Sequence, residues 1–140
     1  MRRSFCSLML AFAAVTACGG GDGGNDPKVS LPGTYNLSTV DGQGLPYILF
    51  QDATLKVEAK NGTFTITGSG TYTENVTLRF TDANGVDEVP SICSGTYTTS
   101  GNNLTITETE TDLCGGSWTA TWDGRNTISI DYGVTVVYKR

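Results

Sequence analysis

Histidine is missing from this sequence of 140 residues. Because histidine supplies the usual general base and the commonest metal ligand, its absence excludes Ser-His-Asp and Cys-His catalytic arrangements. Lysine and arginine are also few, nine in all, and they are scattered along the chain. Nucleic-acid binding needs a basic patch, so we expect no nucleic-acid partner. We also expect no catalytic residue, no cofactor and no resident metal ion.

Long apolar runs are missing as well. The apolar segment at residues 5–15 is too short to cross a bilayer as a helix, which takes about 20 residues. Two arginines precede this segment and two small residues follow it, which is the layout of a secretory signal peptide. We therefore predict that residues 1–17 are a leader that is removed.

The end of this leader carries a short motif, Val15-Thr16-Ala17-Cys18. It resembles the lipobox of bacterial lipoproteins, in which an aliphatic residue and two small or β-branched residues precede a cysteine. The resemblance implies that Cys18 becomes the first residue and carries palmitate-type acyl chains, two or more of which anchor a protein stably in a membrane. Gly19 follows where inner-membrane members commonly have Asp, which implies the outer membrane of a bacterial cell envelope. The alternative is an ordinary leader with an incidental cysteine.

The mature chain divides into a tether and one domain. Residues 18–27 contain the lipidated cysteine followed by GGGDGGNDP, which has no apolar side chain to bury and should form a flexible tether. Residues 28–140 are long enough for one domain with a real core. The formal charge is −5, and removing Arg2 and Arg3 makes it −7.

The four cysteines separate by role. Cys6 leaves with the leader and Cys18 is lipidated, so Cys93 and Cys114 remain. Two thiols in an oxidising envelope predict one disulfide. The alternative, a metal-binding or redox pair, lacks both a C-x-x-C spacing and a histidine.

The domain shows period-two alternation and almost no helical segment. Asn61-Gly62 predicts a tight hairpin turn between a strand at residues 55–59 and one at residues 64–66, and Asn84-Gly85 predicts another turn. Threonine fills many alternate positions, as expected where a β-branched polar residue faces water. Eight or nine short antiparallel strands predict an all-β fold, an up-and-down antiparallel β-barrel of about eight strands. A β-sandwich is the alternative.

Both ends of the domain add a second resemblance. Leu31-Pro32-Gly33-Thr34-Tyr35 is similar to the glycine-x-aromatic start of lipocalin-like barrels, and Lys139-Arg140 is similar to their closing basic residue. More broadly, the chain resembles small lipocalin-like β-barrel lipoproteins of unknown function. The resemblance implies a lipocalin-like barrel in which a basic residue at the end of the chain packs across Tyr35.

Several aromatic residues at alternate strand positions form the candidate ligand site. Trp118 and Trp122 share one strand face with Ala120 between them, so they could line an apolar cavity with a gap at Ala120. The candidate ligand-binding residues are Trp118, Trp122, Tyr97 and Tyr72, and Phe64 belongs to the same group. The simpler alternative is that these rings fill the core.

An acidic run follows the predicted core residues Leu104 and Ile106. Glu108, Glu110 and Asp112 have the same parity, and burying three unpaired carboxylates would cost too much. Either the strand leaves the barrel near Glu108, or these groups line a wet mouth where a cation such as Ca²⁺ could bind.

Two classes of function follow from these patterns. The first is a non-catalytic binding module for a small apolar ligand or an envelope partner, held at the membrane by its lipid. The second is an enzyme with paired carboxylates, which would come from Glu108, Glu110, Asp87 and Glu88. A structural lipoprotein without a ligand is a further alternative.

Overall fold

The computed structural model describes residues 29–109 and 114–140. These two ranges contain nine strands and no helix: β1 (Gly33–Val40), β2 (Tyr47–Gln51), β3 (Lys56–Ile66), β4 (Thr71–Asp82), β5 (Gly85–Ser100), β6 (Asn103–Glu108), β7 (Ser117–Trp122), β8 (Thr127–Asp131) and β9 (Thr135–Lys139). The predicted leader, residues 1–17, and tether, residues 18–27, lie outside the described residues. In the described ranges no helix has the length and hydrophobicity needed to cross a membrane.

The strands form a closed antiparallel barrel, which confirms the predicted fold. Each strand from β3 to β8 pairs with the next one along the chain, and β1 closes the ring by pairing with both β3 and β9. The first half of β1 lies beside the end of β3, and its second half lies beside β9. Eight strands therefore make the barrel, and β2 is an extra strand on the outside of β3.

Alternation along the strands fills the interior. Inward positions carry apolar side chains, while threonine and serine occupy many of the outward positions between them. The fully buried rings and branched chains make one continuous core, which comprises Tyr35, Phe64, Tyr72, Leu104, Ile106, Ile128, Ile130 and Tyr138. The turn predicted at Asn84-Gly85 is confirmed, since β4 and β5 meet there in a hairpin with Asp82 opposite Gly85.

The hairpin predicted at Asn61-Gly62 is wrong. Both residues lie inside β3, which runs unbroken from Lys56 to Ile66 and pairs with β4 on both sides of a register shift between Ala59 and Asn61. The start of β3 pairs with β2 and its end pairs with β1, so the shift falls where β3 changes partner. A bulge there bends the strand and lets one long strand serve both the barrel and its extension. That long-range pairing overrides the local turn preference.

Gly95 marks the point where β5 leaves the barrel. Its backbone approaches β6 so closely that a Cβ would lie 2.0 Å from the Thr107 carbonyl oxygen, so only glycine fits. Pairing with β6 covers Gly95 to Ser100, and the earlier part of β5 pairs with β4 alone. That part joins β2 and the neighbouring ends of β3 and β4 in a projection that we call the flap, made of Tyr47–Gln51 and residues 56–59, 77–82 and 85–91.

Arg140 covers the opposite end of the barrel. Its guanidinium lies 4.8 Å from the centre of the Tyr35 ring, which bears out the packing implied by the lipocalin resemblance. The same group donates hydrogen bonds to the carbonyl oxygens of Ser30, Pro32 and Arg125. This end of the interior is therefore closed by side chains from both ends of the domain.

Candidate functional site

A cavity of about 290 Å³ opens at the end of the barrel that carries the flap. Ligand pockets in proteins begin at roughly 300 Å³, so this cavity is at the small end of that range. Its lining comes from β1, β2, β3, β4, β5, β9 and the β8–β9 turn: Leu37, Val40, Leu49, Ala59, Glu74, Val76, Leu78, Ser91, Tyr132, Val134, Val136 and Tyr138. Most of these side chains are apolar.

The walls of the cavity follow from strand register. Val76 and Leu78 of β4 stand at alternate positions beyond Glu74, and Ala59 of β3 lies directly opposite Leu78. Val136 of β9 lies opposite Val40 of β1, so these two complete the wall where the barrel closes. These side chains are smaller than the rings in the other half of the barrel, and space remains between them.

The mouth of the cavity is apolar and reaches solvent. Leu49 is 48% exposed and Val134 is 38% exposed, although both line the cavity. The apolar inner surface continues onto the flap, where Val57 pairs with Phe80 and Leu78 pairs with Val89. An apolar chain could therefore extend from the cavity along the flap.

The opposite face of the flap carries a charged network. Lys56 lies 2.7 Å from Glu58, and Arg79 contacts both Glu58, at 3.7 Å, and Glu88, at 3.3 Å. Lys60 also pairs with Glu88. Glu58 is buried under its two cationic partners, whereas the pairs of Glu88 are partly exposed and contribute about 0–1 kcal/mol each. The flap therefore has one charged face opposite one apolar face.

Glu74 forms the floor of the cavity. The residue is 92% buried, and its carboxylate accepts hydrogen bonds from the Tyr132 hydroxyl, at 3.1 Å, and from the Tyr138 hydroxyl. Burial raises the pKa of Glu74, while the two phenol hydrogen bonds act against this rise and the charge of Glu108 adds to it. Burial is also the main reason why the pKa values of Tyr132 and Tyr138 are raised, and the charge of Glu74 adds to both.

Glu108 brings a second carboxylate beside Glu74. A carboxylate oxygen of each residue and the sulfur of Cys93 all lie within 4.8 Å of one another. β6 ends at Glu108, as one of the two predicted alternatives requires. Glu110 and Asp112 lie outside the described residues, so cation binding by this acidic run stays a prediction.

The predicted disulfide between Cys93 and Cys114 is confirmed. The two Cα atoms are 5.6 Å apart, and the bridge joins the inner face of β5 to the segment that precedes β7. Cys93 lies directly opposite Glu74 in the β4–β5 pairing. The bridge therefore fixes the wall next to the cavity floor, and its sulfur atoms are not free thiolate ligands.

The four predicted ligand-binding residues lie elsewhere in the interior. Tyr72 is fully buried and stacks on Phe64 with ring centres 5.0 Å apart. Tyr97 packs against the core and donates a hydrogen bond to the Thr67 carbonyl oxygen at 2.7 Å. Both rings fill the half of the barrel that Arg140 covers, and neither lines the cavity.

Trp118 and Trp122 share the inner face of β7, as their parity indicates. Ala120 is buried between them, opposite Leu104. Trp118 packs edge-on against Tyr132 at 5.2 Å, which places it next to the cavity floor but outside the lining. A ligand-binding role for these two residues stays a prediction.

Of the carboxylates considered for an enzyme, the three that the structure describes do not form one group, and Glu110 lies outside the described residues. Glu88 lies on the charged outer face of the flap, paired with Lys60 and Arg79, whereas Glu108 lies next to Glu74 on the inner side. Asp87 lies opposite Phe80 on the other face of β5 from Glu88. The carboxylate pair that the fold brings together is instead Glu74 with Glu108.

Glu74 is the site residue that the sequence analysis missed. Its parity in β4 matches that of Tyr72, Val76 and Leu78, and this alternation was the available signal. The fold and the cavity together define a closed antiparallel β-barrel with an apolar, acid-floored pocket at one end. No protein-family model matches the chain, and no curated protein is significantly similar to it.

Proposed function

We propose that this protein is a lipid-anchored lipoprotein of the bacterial cell envelope, and that its barrel binds a small apolar molecule without catalysing a reaction on it. The observation that carries the binding function is the cavity of about 290 Å³ with apolar walls. An engineered cavity of about 150 Å³ is enough to bind benzene, so a single ring or a short alkyl chain has room here.

The anchor rests on the lipobox and on the position of the barrel. The first strand begins at Gly33, fifteen positions after Cys18, so a glycine-rich tether separates the two. Lipid chains on Cys18 would hold the protein at the membrane. We propose that this is the outer membrane of a Gram-negative cell. The cavity would then take up its ligand from the periplasmic space or the membrane surface.

The anchor is tested by replacing single cysteines. Cys18→Ser should move the protein from the detergent phase to the aqueous phase, because no lipid can be attached. Cys6→Ser is the matched control and should leave partitioning unchanged, because Cys6 is removed with the leader. Mass spectrometry of the mature protein should find a lipidated Cys18 as its first residue. An unmodified start, or a retained leader, would contradict the anchor.

The binding function is tested by filling the cavity. We expect the full chain carrying Cys18→Ser, which needs no detergent, to enhance the fluorescence of a small apolar dye. Val136→Phe places a ring in the cavity and should weaken dye binding at least tenfold. Val137→Phe, on the neighbouring outward position of β9, is the control and should bind the dye normally. Equal binding by all three proteins, or by none, would refute a ligand in this cavity.

A further inference from the structure

The cavity floor carries an acidic group that an uncharged ligand does not need. We infer that the cavity selects a ligand with a protonated amine at one end of a small apolar body, and that Glu74 receives the ammonium group with Glu108 beside it. This inference rests on the proposed binding function and specifies its ligand class.

The first argument is the unfavourable free energy of burying the Glu74 carboxylate. Removing a carboxylate from water is unfavourable unless a cation or strong hydrogen bonds compensate it. Glu74 has two phenol donors, and the ion pairs on the outer face of the flap do not include it. A cation supplied by the ligand would complete the pairing of Glu74 inside the cavity.

The second argument is the neighbouring carboxylate. Glu108 comes from β6 and places an oxygen within 4.8 Å of an oxygen of Glu74. Two carboxylates this close repel each other, and the charge of Glu108 adds to the raised pKa of Glu74. An ammonium ion beside them would act against this effect and favour ionised Glu74.

The third argument is an independent polar group at the same place. Tyr72 is 98% buried, and its hydroxyl has no hydrogen-bond partner among the described residues. Tyr72 precedes Glu74 by two positions in β4, so the two side chains share its inner face, and burial, with the charges of Glu108 and Glu74, raises the pKa of this hydroxyl. An unpaired buried hydroxyl is costly, and a hydrogen-bonding ligand group is one way to satisfy it.

The atoms present fit an ammonium better than a metal ion. A primary ammonium has three N–H donors, and Glu74 offers carboxylate oxygens in the cavity lining, with Glu108 next to it and outside the lining. Calcium needs six to eight oxygen ligands, and zinc prefers nitrogen and sulfur. The chain has no histidine, and the sulfur of Cys93 is held in a disulfide.

The rest of the cavity fits the other end of such a ligand. Apart from Ser91, its walls above the polar floor are Leu, Val and Ala side chains, and its exposed mouth leads onto the apolar face of the flap. An alkyl or aryl group would lie in this space with its nitrogen directed to the floor. A polyamine would not fit, because its second charge would lie against apolar walls.

The test compares 2-phenylethylamine with 2-phenylethanol, which share one carbon skeleton. Calorimetry on the full chain carrying Cys18→Ser should give at least tenfold tighter binding of the amine. Glu74→Gln should bring the affinity for the amine down to about that for the alcohol, and Glu108→Gln should reduce the preference less. Glu88→Gln, on the outer face, is the control and should preserve the preference.

A second readout needs no variant at the floor. Because ammonium binding favours ionised Glu74, binding of the amine should release a proton from the protein to the buffer, and binding of the alcohol should release none. Calorimetry in two buffers measures this difference.

Equal affinity for both probes, with normal dye binding, would overturn the inference and leave the binding function in place. Stabilisation by Ca²⁺ or Zn²⁺ alone, lost in Glu74→Gln, would also overturn it. Failure of the dye and both probes would overturn both proposals.

Discussion

The two halves of the barrel interior are built from the same alternating strands, but one half is filled by side chains and the other contains a cavity. In the closed half, which Arg140 covers, large rings such as Tyr35, Phe64 and Tyr72 fill the space. In the open half, Val, Ala and Leu occupy the equivalent inward positions and leave about 290 Å³ free. An eight-stranded barrel is just wide enough to be filled by side chains or to hold one small ligand. Side-chain volume therefore decides where this barrel is solid and where it is hollow.

The boundary between the halves is polar. Glu74, Tyr132 and Tyr138 lie there, with the solid aromatic core on one side and the cavity on the other. Buried polar networks fix a unique arrangement when every member is paired, and they are costly when one is not. At this layer, a polar group of a bound ligand would therefore alter the hydrogen bonding of the interior more than it would elsewhere.

The largest expected difference between the halves is in packing. Phe64→Ala should lower the free energy of unfolding by about 3–5 kcal/mol, because Phe64 is fully buried against Tyr72 and Tyr138. Leu49→Ala at the mouth should cost under about 1 kcal/mol, because its side chain is half exposed. Urea unfolding of both variants measures this, and similar losses would show that the two halves are equally well packed.

The disulfide gives the next largest effect. Replacing Cys93 and Cys114 together by Ser should lower the free energy of unfolding by about 3 kcal/mol, because the bridge closes a loop with a sequence separation of 21. Hydrogen exchange should rise mainly near the cavity floor and less around Phe64. The oxidised wild-type protein is the reference, and a uniform rise over both halves would contradict a local role.

Arg140, which covers the closed half, should contribute less to the free energy of unfolding. Arg140→Ala should lower the free energy of unfolding by roughly 1–2 kcal/mol, because it removes the contact with the Tyr35 ring and the hydrogen bonds to three carbonyl oxygens. Arg140→Lys keeps the charge but not the planar group, so it should recover only part of this loss. Full recovery by Lys would show that charge alone matters there.

The smallest effect is a pH dependence of the free energy of unfolding that arises from Glu74 at the polar boundary. Because burial raises the pKa of Glu74 from its ordinary value of 4.5, the folded protein keeps a proton that the unfolded chain has lost. Its contribution to the free energy of unfolding should therefore fall as the pH rises from about 4.5 through the folded-state pKa, by at most about 1.4 kcal/mol per pH unit.

Glu74→Gln isolates this contribution, because it removes the titrating group and keeps the shape. The free energy of unfolding of the variant minus that of the wild-type protein should rise over that pH range and then level off. Glu88→Gln is the matched control, since lysine and arginine partners lower the pKa of Glu88. Its difference should show the opposite sign of pH dependence, and a flat curve for Glu74→Gln would contradict a raised pKa.

Local pattern predicted much of this fold. Period-two alternation gave the inward positions of Leu104, Ile106 and Ala120, and the turn at Asn84-Gly85 formed where its dipeptide indicates. The same local logic failed at Asn61-Gly62, because pairing of β3 with three other strands outweighs the preference of two residues for a turn. The short strand β2 also escaped prediction, since its residues do not alternate in burial.

Alternation and the number of cysteines are properties of the chain itself, so the sequence alone determined an all-β domain and its disulfide. Only the tertiary structure decided which inward side chains meet. Glu74 and Glu108 are 34 positions apart and become neighbours because barrel closure and strand register bring them together. The cavity arises in the same way, because the space between side chains depends on which strands face each other across the interior.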